Sequence, residues 1–223
     1  MRKPFATIPH FAAQFPSPEE LKRVLLTSTR QTRDAVARQW LSEGVPCAFR
    51  LCPGVYEDIR GWLSSRLGVV HAKEITLVGS ARTGYSLANF GKAFGAHSDL
   101  DFCIVSRELF SMFRAAFDGF VKDYQSQVVQ PRTERERIYW DENVRFGNRN
   151  LPQGFFDADK LPTFDRYEIA QRVSQAMWAL KSKLEITPLA PCVRRATTRV
   201  YCDWKSLIER LTLNLRVIGT IIA

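Results

Sequence analysis

Two short apolar runs constrain the fold of this chain more than any other feature. EITLVG at 74–79 and DLDFCIV at 99–105 are rich in branched apolar residues and are too short for helices, so each predicts a buried β-strand. A third segment, RRATTRVYCD at 194–203, alternates in the manner of a strand. Longer helical patterns surround all three. The sequence therefore predicts an α+β fold, a small mixed sheet with flanking helices.

Five segments carry the apolar spacing or the end signals of helices. They are 17–43, 55–67, 107–124, 166–184 and 204–218. The first begins with Ser17-Pro18-Glu19-Glu20, a capping sequence, and the second ends at Gly68. In the third, Leu109, Phe113, Phe117, Phe120 and Tyr124 form an apolar stripe, which predicts a core-facing helix.

These elements divide the chain into four parts. We expect an N-terminal helical segment at 1–54 and a core with the main motifs at 55–130. An irregular, basic and aromatic loop is expected at 131–165, where Asn, Gly and Pro are frequent. A helix–strand–helix unit at 166–223 completes the core.

Composition restricts the classes of partner and compartment. Hydrophobic residues make up 45% of the 223 residues, so a packed core is expected. The formal net charge of +9 favours nucleotide or nucleic-acid partners, although a merely soluble basic protein would look the same. Five irregularly spaced cysteines and only three histidines disfavour a structural zinc site. We expect reduced thiols, a cytoplasmic location and no membrane partner.

Two carboxylates interrupt the apolar run at 99–105. Side chains alternate along a strand, so Asp99 and Asp101 project from one face with their Cα atoms roughly 6–7 Å apart. Like charges this close repel unless a cation lies between them. Carboxylate oxygens suit Mg²⁺ or Mn²⁺, and a pair of such ions supports phosphoryl or nucleotidyl transfer. The spacing therefore predicts that Asp99 and Asp101 are catalytic metal ligands.

A phosphate-binding motif precedes this pair. Gly79-Ser80 ends the first apolar run, where a glycine lets backbone N–H groups approach a phosphate closely. Arg82 and Lys92 follow and are candidates to neutralise a triphosphate. Gly79, Ser80, Arg82 and Lys92 are thus the predicted nucleotide-binding residues.

Two other motifs give weaker signals. Asp157-Ala158-Asp159 repeats the acidic spacing, but no strand is predicted after it, so we interpret it as loop capping. A Walker-type phosphate loop does not fit, because Gly84 and Gly91-Lys92 have the wrong spacing and Ala93 stands where a Ser or Thr should bind magnesium.

The combination of an apolar strand, Gly79-Ser80 and Asp99-x-Asp101 resembles the DNA polymerase β-like nucleotidyltransferase superfamily. The texts GSARTGYSL and SDLDF are similar to standalone bacterial members, including minimal nucleotidyltransferases and anti-phage oligonucleotide cyclases. The resemblance covers roughly 55–125. It implies an NTP donor, with ATP first, two Mg²⁺ ions, and transfer of a nucleoside monophosphate to a hydroxyl of RNA (tRNA included), protein or another nucleotide. It also suggests bacterial defence or toxin–antitoxin biology, with a partner protein.

The sequence departs from the family pattern in two places. Nineteen positions separate Ser80 from Asp99, and the inserted residues YSLANFGKAFGAHS form either a lid or a surface loop. The family usually has a third carboxylate on a later strand, for which the candidate is Asp203. The competing interpretation is that Asp203 is the N-cap of the following helix.

The expected loop leaves the acceptor and the activity open. Its aromatic residues and arginines either bind a nucleic-acid acceptor or anchor the loop to the domain; they are Tyr139, Trp140, Phe146, Phe155, Phe156, Arg135, Arg137, Arg145 and Arg149. Arg194, Arg195 and Arg199 extend a basic rim. The alternative to an enzyme is a catalytically silent module of the same fold that binds nucleotide or RNA as an antitoxin or sensor. The apolar terminus LRVIGTIIA packs either in the core or against a partner.

Overall fold

The computed structural model describes residues 14–222, which form eight α-helices and one four-stranded sheet. The helices are Pro18–Leu26 (α1), Arg30–Val36 (α2), Pro53–Leu67 (α3), Gly79–Thr83 (α4), Arg107–Gln125 (α5), Glu134–Asn150 (α6), Glu168–Glu185 (α7) and Trp204–Ile222 (α8). The strands are Ile75–Val78 (β1), Asp99–Val105 (β2), Phe155–Asp157 (β3) and Arg195–Tyr201 (β4). The predicted mixed sheet with flanking helices is confirmed.

The sheet has the strand order β1-β2-β4-β3. Strand β2 runs antiparallel to β1 and parallel to β4, and β3 runs antiparallel to β4. The β2–β4 register places Asp99 beside Arg195 and Asp101 beside Thr197. Because paired residues share a face of the sheet, these four side chains lie on the same side.

The two faces of the sheet are covered differently. Leu100, Phe102 and Ile104 are buried in one core cluster with residues of α3, α5 and α7. On the opposite face, Cys103 and Val105 are buried in a second cluster with residues of α1, α2 and α8. Asp99 and Asp101 begin the same strand on that second face and stay partly exposed. Only half of this face is therefore closed by helices.

The prediction of one helix over 17–43 is wrong. The segment forms α1, α2 and a π-helical turn, Ala37–Leu41. The break comes at a run of hydroxyl residues: the Ser28 hydroxyl donates to Leu25 O, and the Thr29 hydroxyl accepts from the Thr32 N–H at 3.1 Å. Such side chains offer the backbone local partners, so they end one helix and cap the next.

The prediction of an irregular loop over 131–165 is also wrong. Of its 35 residues, 17 form α6, and β3 follows. A capping sequence, Thr133-x-x-Glu136, begins the helix: the Thr133 hydroxyl accepts from the Glu136 N–H, and the Glu136 carboxylate accepts from the Arg132 N–H. Trp140 is buried on the inner face of α6. The capping sequence is the signal that predicts this helix.

The C-terminal apolar segment belongs to α8. Leu207, Leu211 and Leu215 are buried against the N-terminal helices, whereas Val217 and Ile221 are exposed. Within residues 14–222, no helix combines the length and the apolarity required to cross a membrane.

Gly147 allows α6 to lie directly against α5. An ideal Cβ at this position would lie 2.1 Å from Cζ of the buried Phe117. We expect Gly147→Ala to lower the free energy of unfolding by about 1–3 kcal/mol, because the core must shift to admit one methyl group. Gly119→Ala on α5 is the matched control: its Cβ meets nothing within 4 Å, and helix propensity favours alanine by up to about 1 kcal/mol. Urea unfolding measures both. Equal stabilities of the two variants would contradict the α5–α6 packing.

Candidate functional site

The structure brings the glycine motif and the acidic pair together. Val78 pairs with Asp101, and the next residue, Gly79, has a φ of +66°. An ideal Cβ on Gly79 would lie 2.9 Å from Asp101 Oδ2. The left-handed backbone and the missing Cβ together let the end of β1 approach the carboxylate. Ser80 follows in the first turn of α4 and is partly exposed.

Asp101 is the more enclosed of the two acids. Its Oδ1 accepts a hydrogen bond of 2.7 Å from the Thr197 hydroxyl on β4. Burial raises the pKa of Asp101, and the charge of Asp99 acts in the same direction. A bound cation would stabilise the charged form of Asp101, because burial has removed water that would otherwise solvate its charge.

Asp99 is held by two arginines. Arg194 donates through Nε and Nη2 to both carboxylate oxygens at 2.9 Å, and Arg195 Nε donates to Oδ2 at 3.0 Å. The hydrogen bonds from Arg194 are the main cause of a lowered pKa for Asp99. The arginine side chains themselves are about 60% exposed, so water screens these pairs.

Asp157 lies on a strand, which corrects its interpretation as loop capping. It ends β3, pairs with Arg199 in register, and accepts a hydrogen bond from Arg199 Nε. Its side chain therefore faces the same side of the sheet as Asp101. Two strand spacings, together about 9–10 Å, separate β3 from β2. Asp157 belongs to the same site, but it is too distant to share one metal ion with Asp99 and Asp101.

These groups line a cleft of about 370 Å³ on the half-covered face of the sheet. We name it the charged cleft, and its polar lining is Asp101, Asp157, Asp159, Lys160, Arg195, Thr197, Thr198 and Arg199. Acidic groups on β2 and β3 thus face cationic groups on β4. The cleft presents carboxylates, Asp101 among them, for a cation and guanidinium groups for an anion. Asp99 is not part of its lining but is joined to it through Arg195.

None of the four predicted nucleotide-binding residues lines the charged cleft, and two of them, Arg82 and Lys92, are placed elsewhere. Arg82 is buried, and its Nε and Nη1 each donate at 2.6 Å to the carbonyls of Trp40 and Gly44. Burial lowers the pKa of Arg82. Its two hydrogen bonds tie α4 to the π-helical turn and to the bend that follows it. Lys92 lies exposed in the loop that follows α4.

Asp203 is not brought to the acidic pair. It follows β4 beyond Tyr201, which pairs with Val105 at the opposite end of β2. Its Oδ1 accepts from the N–H and the hydroxyl of Ser206, both at 2.8 Å. The Ser206 N–H lowers the pKa of Asp203, as at a helix N-cap. The structure therefore replaces the predicted third ligand with a cap of α8.

The predicted acceptor-binding residues divide into two groups. Trp140, Phe155 and Phe156 are buried, as expected of anchors. Tyr139 and Phe146 are exposed on α6 and lie 5.2 and 5.6 Å from Lys160 Nζ, measured to the ring centroids. Since Lys160 also lines the charged cleft, this face of α6 adjoins the site.

Several site residues were missed from the sequence. Thr197 and Lys160 carried no motif, and their place depends on the β2–β4 register and on the turn after β3. The alternation of RRATTRVYCD puts Thr197 on the face of Arg195 and Arg199, which is the one available signal.

Comparisons with known proteins add no relative: no protein-family model, curated protein or solved structure matches the chain. Within the described part of the chain, no three His, Cys, Asp or Glu side chains are grouped to hold a metal. The resemblance to the nucleotidyltransferases therefore stays a prediction, and the function rests on the geometry of the charged cleft.

A structural role for Arg82 predicts a stability change. We expect Arg82→Met to lower the free energy of unfolding by about 2–4 kcal/mol, because it removes two charge-assisted hydrogen bonds and leaves two carbonyls without their donor. Lys92→Met, at an exposed position, should change it by less than about 0.5 kcal/mol. Chemical unfolding compares the two; equal effects would contradict the buried clamp.

The two acids predict opposite pH dependences of stability. Because the folded-state pKa of Asp101 is raised, folding favours its protonated form, and stability falls as pH rises through the ordinary carboxyl range. Asp101→Asn should therefore stabilise the protein at pH 7, and the gain should shrink towards pH 4. Asp99→Asn should destabilise the protein at pH 7, because a lowered folded-state pKa contributes stability above the ordinary carboxyl range. That stability is lost only as pH falls through the lowered pKa, so the deficit should largely persist at pH 4. Urea titrations at both pH values test this, and the same sign for both variants at pH 7 would contradict it.

Proposed function

We propose that the chain is a metal-dependent nucleotidyltransferase of the DNA polymerase β-like type. The observation that carries the proposal is the close approach of Gly79 to the Asp101 carboxylate, where an added Cβ would lie 2.9 Å from Oδ2, beside Asp99 on the same strand face. Cationic side chains line the cleft into which Asp101 opens. A nucleoside triphosphate needs both kinds of group, since its phosphates take a divalent cation and basic side chains together.

The donor set fits a hard divalent cation. Mg²⁺ is commonly held by one or two carboxylates, with substrate phosphates and water completing its shell. Asp99 and Asp101 are such a pair, and the missing Cβ of Gly79 keeps space against Asp101 Oδ2. When bound, the cation would neutralise charge that develops on the phosphates. Within residues 14–222 no third acid is grouped with Asp99 and Asp101, and substrate phosphate oxygens can supply the remaining ligands of the cation.

The arginines of the site have a second partner in such a reaction. Arg194 and Arg195 neutralise Asp99 in the free protein, and their exposed guanidinium groups can turn to phosphate oxygens. Arg199 and Lys160 line the opposite side of the charged cleft. In the reaction, an acceptor hydroxyl oxygen forms a bond to the α-phosphorus, diphosphate leaves, and the hydroxyl proton is released. The cationic side chains orient the triphosphate and stabilise the leaving diphosphate.

ATP is the donor to test first, and RNA is the proposed acceptor class. The net charge of +9 supports a nucleic-acid acceptor, as do the exposed rings of Tyr139 and Phe146 next to the partly buried Lys160 of the cleft. A protein side chain or a second nucleotide are the other acceptors that the reaction allows. A role in bacterial defence or toxin–antitoxin biology follows only from the family resemblance.

One observation favours a second function, a catalytically silent nucleotide- or RNA-binding module. Thr197 occupies the position on β4 beside Asp101, and two guanidinium groups occupy Asp99. A site with this arrangement can bind anions without a metal. Such a module would serve as an antitoxin or a sensor and would bind its ligand in the presence of a chelator.

Substitution of each acid distinguishes the roles. With α-labelled NTPs, Mg²⁺ or Mn²⁺, and total RNA or lysate as acceptor, wild type should transfer label, whereas Asp99→Asn and Asp101→Asn should lose at least about 99% of it. Asp203→Asn is the matched control: asparagine also caps helices, so this variant should keep its fold and transfer at about the wild-type rate.

Either of two results would contradict the enzymatic proposal. Transfer by Asp99→Asn at the wild-type rate would exclude the metal-ligand role. No transfer by folded wild type, together with RNA or nucleotide binding that survives chelation, would instead support the silent module.

A further inference from the structure

The first part of β4, Arg195–Thr198, has an unpaired edge on the side of β3. Strand β3 pairs only with Arg199–Tyr201 of β4. Within residues 14–222, no strand pairs with the β3 side of Arg195–Thr198, and no backbone hydrogen bond joins it to the segment 158–163. Arg195–Thr198 therefore form an edge of the sheet whose backbone groups on that side have no strand partner among the described residues.

An apolar cleft of about 330 Å³ lies between this edge and α7. Leu161, Val173 and Met177 form its inner wall, and Trp178 stands at the wall with 73% of its surface exposed. Lys181 supplies a cation at the same helix face. Its lining surface is mainly apolar, with polar side chains such as Ser174 and Thr163 among the lining residues. A space of this size with one aromatic face suits a small planar molecule with polar edges.

The apolar cleft adjoins the charged cleft. Asp159, Arg195, Thr197 and Thr198 line both. Thr198 is buried at this junction, and its hydroxyl has no hydrogen-bond partner within the described residues. A buried hydroxyl without a partner carries a free-energy cost, which a hydrogen-bonding ligand would remove. The two adjoining clefts thus offer charged side chains on one side, an apolar lining on the other, and the unpartnered Thr198 hydroxyl between them.

We infer that the apolar cleft is the subsite for the nucleobase of a nucleotide whose phosphates lie in the charged cleft. The inference rests on the proposed function and adds the residues that bind the base. A nucleotide matches the space in order: anionic phosphates at Arg195 and Arg199, then a planar base with polar edges beside Thr198. The exposed indole of Trp178 offers the stacking surface, and every base has a face to stack on it.

Two ligands that differ only by the nucleoside test this inference. ATP and inorganic tripolyphosphate are titrated into wild type, Trp178→Ala and Trp204→Ala by calorimetry, with Mg²⁺ present. Trp204 is the matched control, because it is also exposed, at the start of α8, and does not line either cleft. We expect Trp178→Ala to weaken ATP binding about tenfold and to leave tripolyphosphate within about twofold of wild type. Trp204→Ala should change neither.

The outcomes separate this inference from the proposed function. If Trp178→Ala binds ATP as wild type does, or loses ATP and tripolyphosphate equally, the base subsite is wrong and the proposed transfer reaction still stands. If wild type binds neither ligand, the base subsite and the nucleotidyltransferase proposal both fail. Thr198→Val provides a second reading: it should weaken ATP binding and not tripolyphosphate binding, and an unchanged ATP affinity would remove the junction hydroxyl from the subsite.

Discussion

The parallel pairing of β2 with β4 is the interaction on which the site depends. It joins segments about ninety residues apart, and the crossover between them contains α5, α6, β3 and α7. The register sets Asp99 beside Arg195 and Asp101 beside Thr197. A slip of one residue would turn the β4 side chains to the opposite face, so the buried side of the sheet fixes the chemistry of the open side.

Partial coverage of one face explains why carboxylates are tolerated in an apolar strand. The helices α1, α2 and α8 close the half of the face that carries Cys103 and Val105. Charged side chains on this face stand in compensating arrangements: Asp99 with two arginines, and Asp157 with Arg199, the latter pair level with Cys103 in the sheet register. Asp101 differs, because its hydrogen-bond donor is the neutral Thr197 hydroxyl. Of these three acids, Asp101 is the one that accepts no hydrogen bond from a charged side chain of the described residues.

Local patterns predicted those elements whose signals are contained within them. Strand β2, α3 with its Gly68 end, and α5 with its Ser106 cap follow from apolar periodicity and end residues. Helix α6 was missed because buried Asn143 and Gly147 interrupt its apolar face. Strand β3 has three residues, and its pairing with β4 is a tertiary contact that no local pattern encodes.

For the site, residue type was a better guide than residue direction. Arg82 has the charge that a phosphate ligand needs, but its side chain bonds the carbonyls of Trp40 and Gly44, which the motif cannot specify. The ion pairs at Asp99 are compatible with both proposed functions. Exposed pairs contribute only about 0–1 kcal/mol to stability, and guanidinium groups donate hydrogen bonds to phosphate as readily as to carboxylate. The distinction therefore lies with Asp101. A silent anion site has no use for a carboxylate beside the phosphates, because it would repel them, whereas a metal-dependent site requires one.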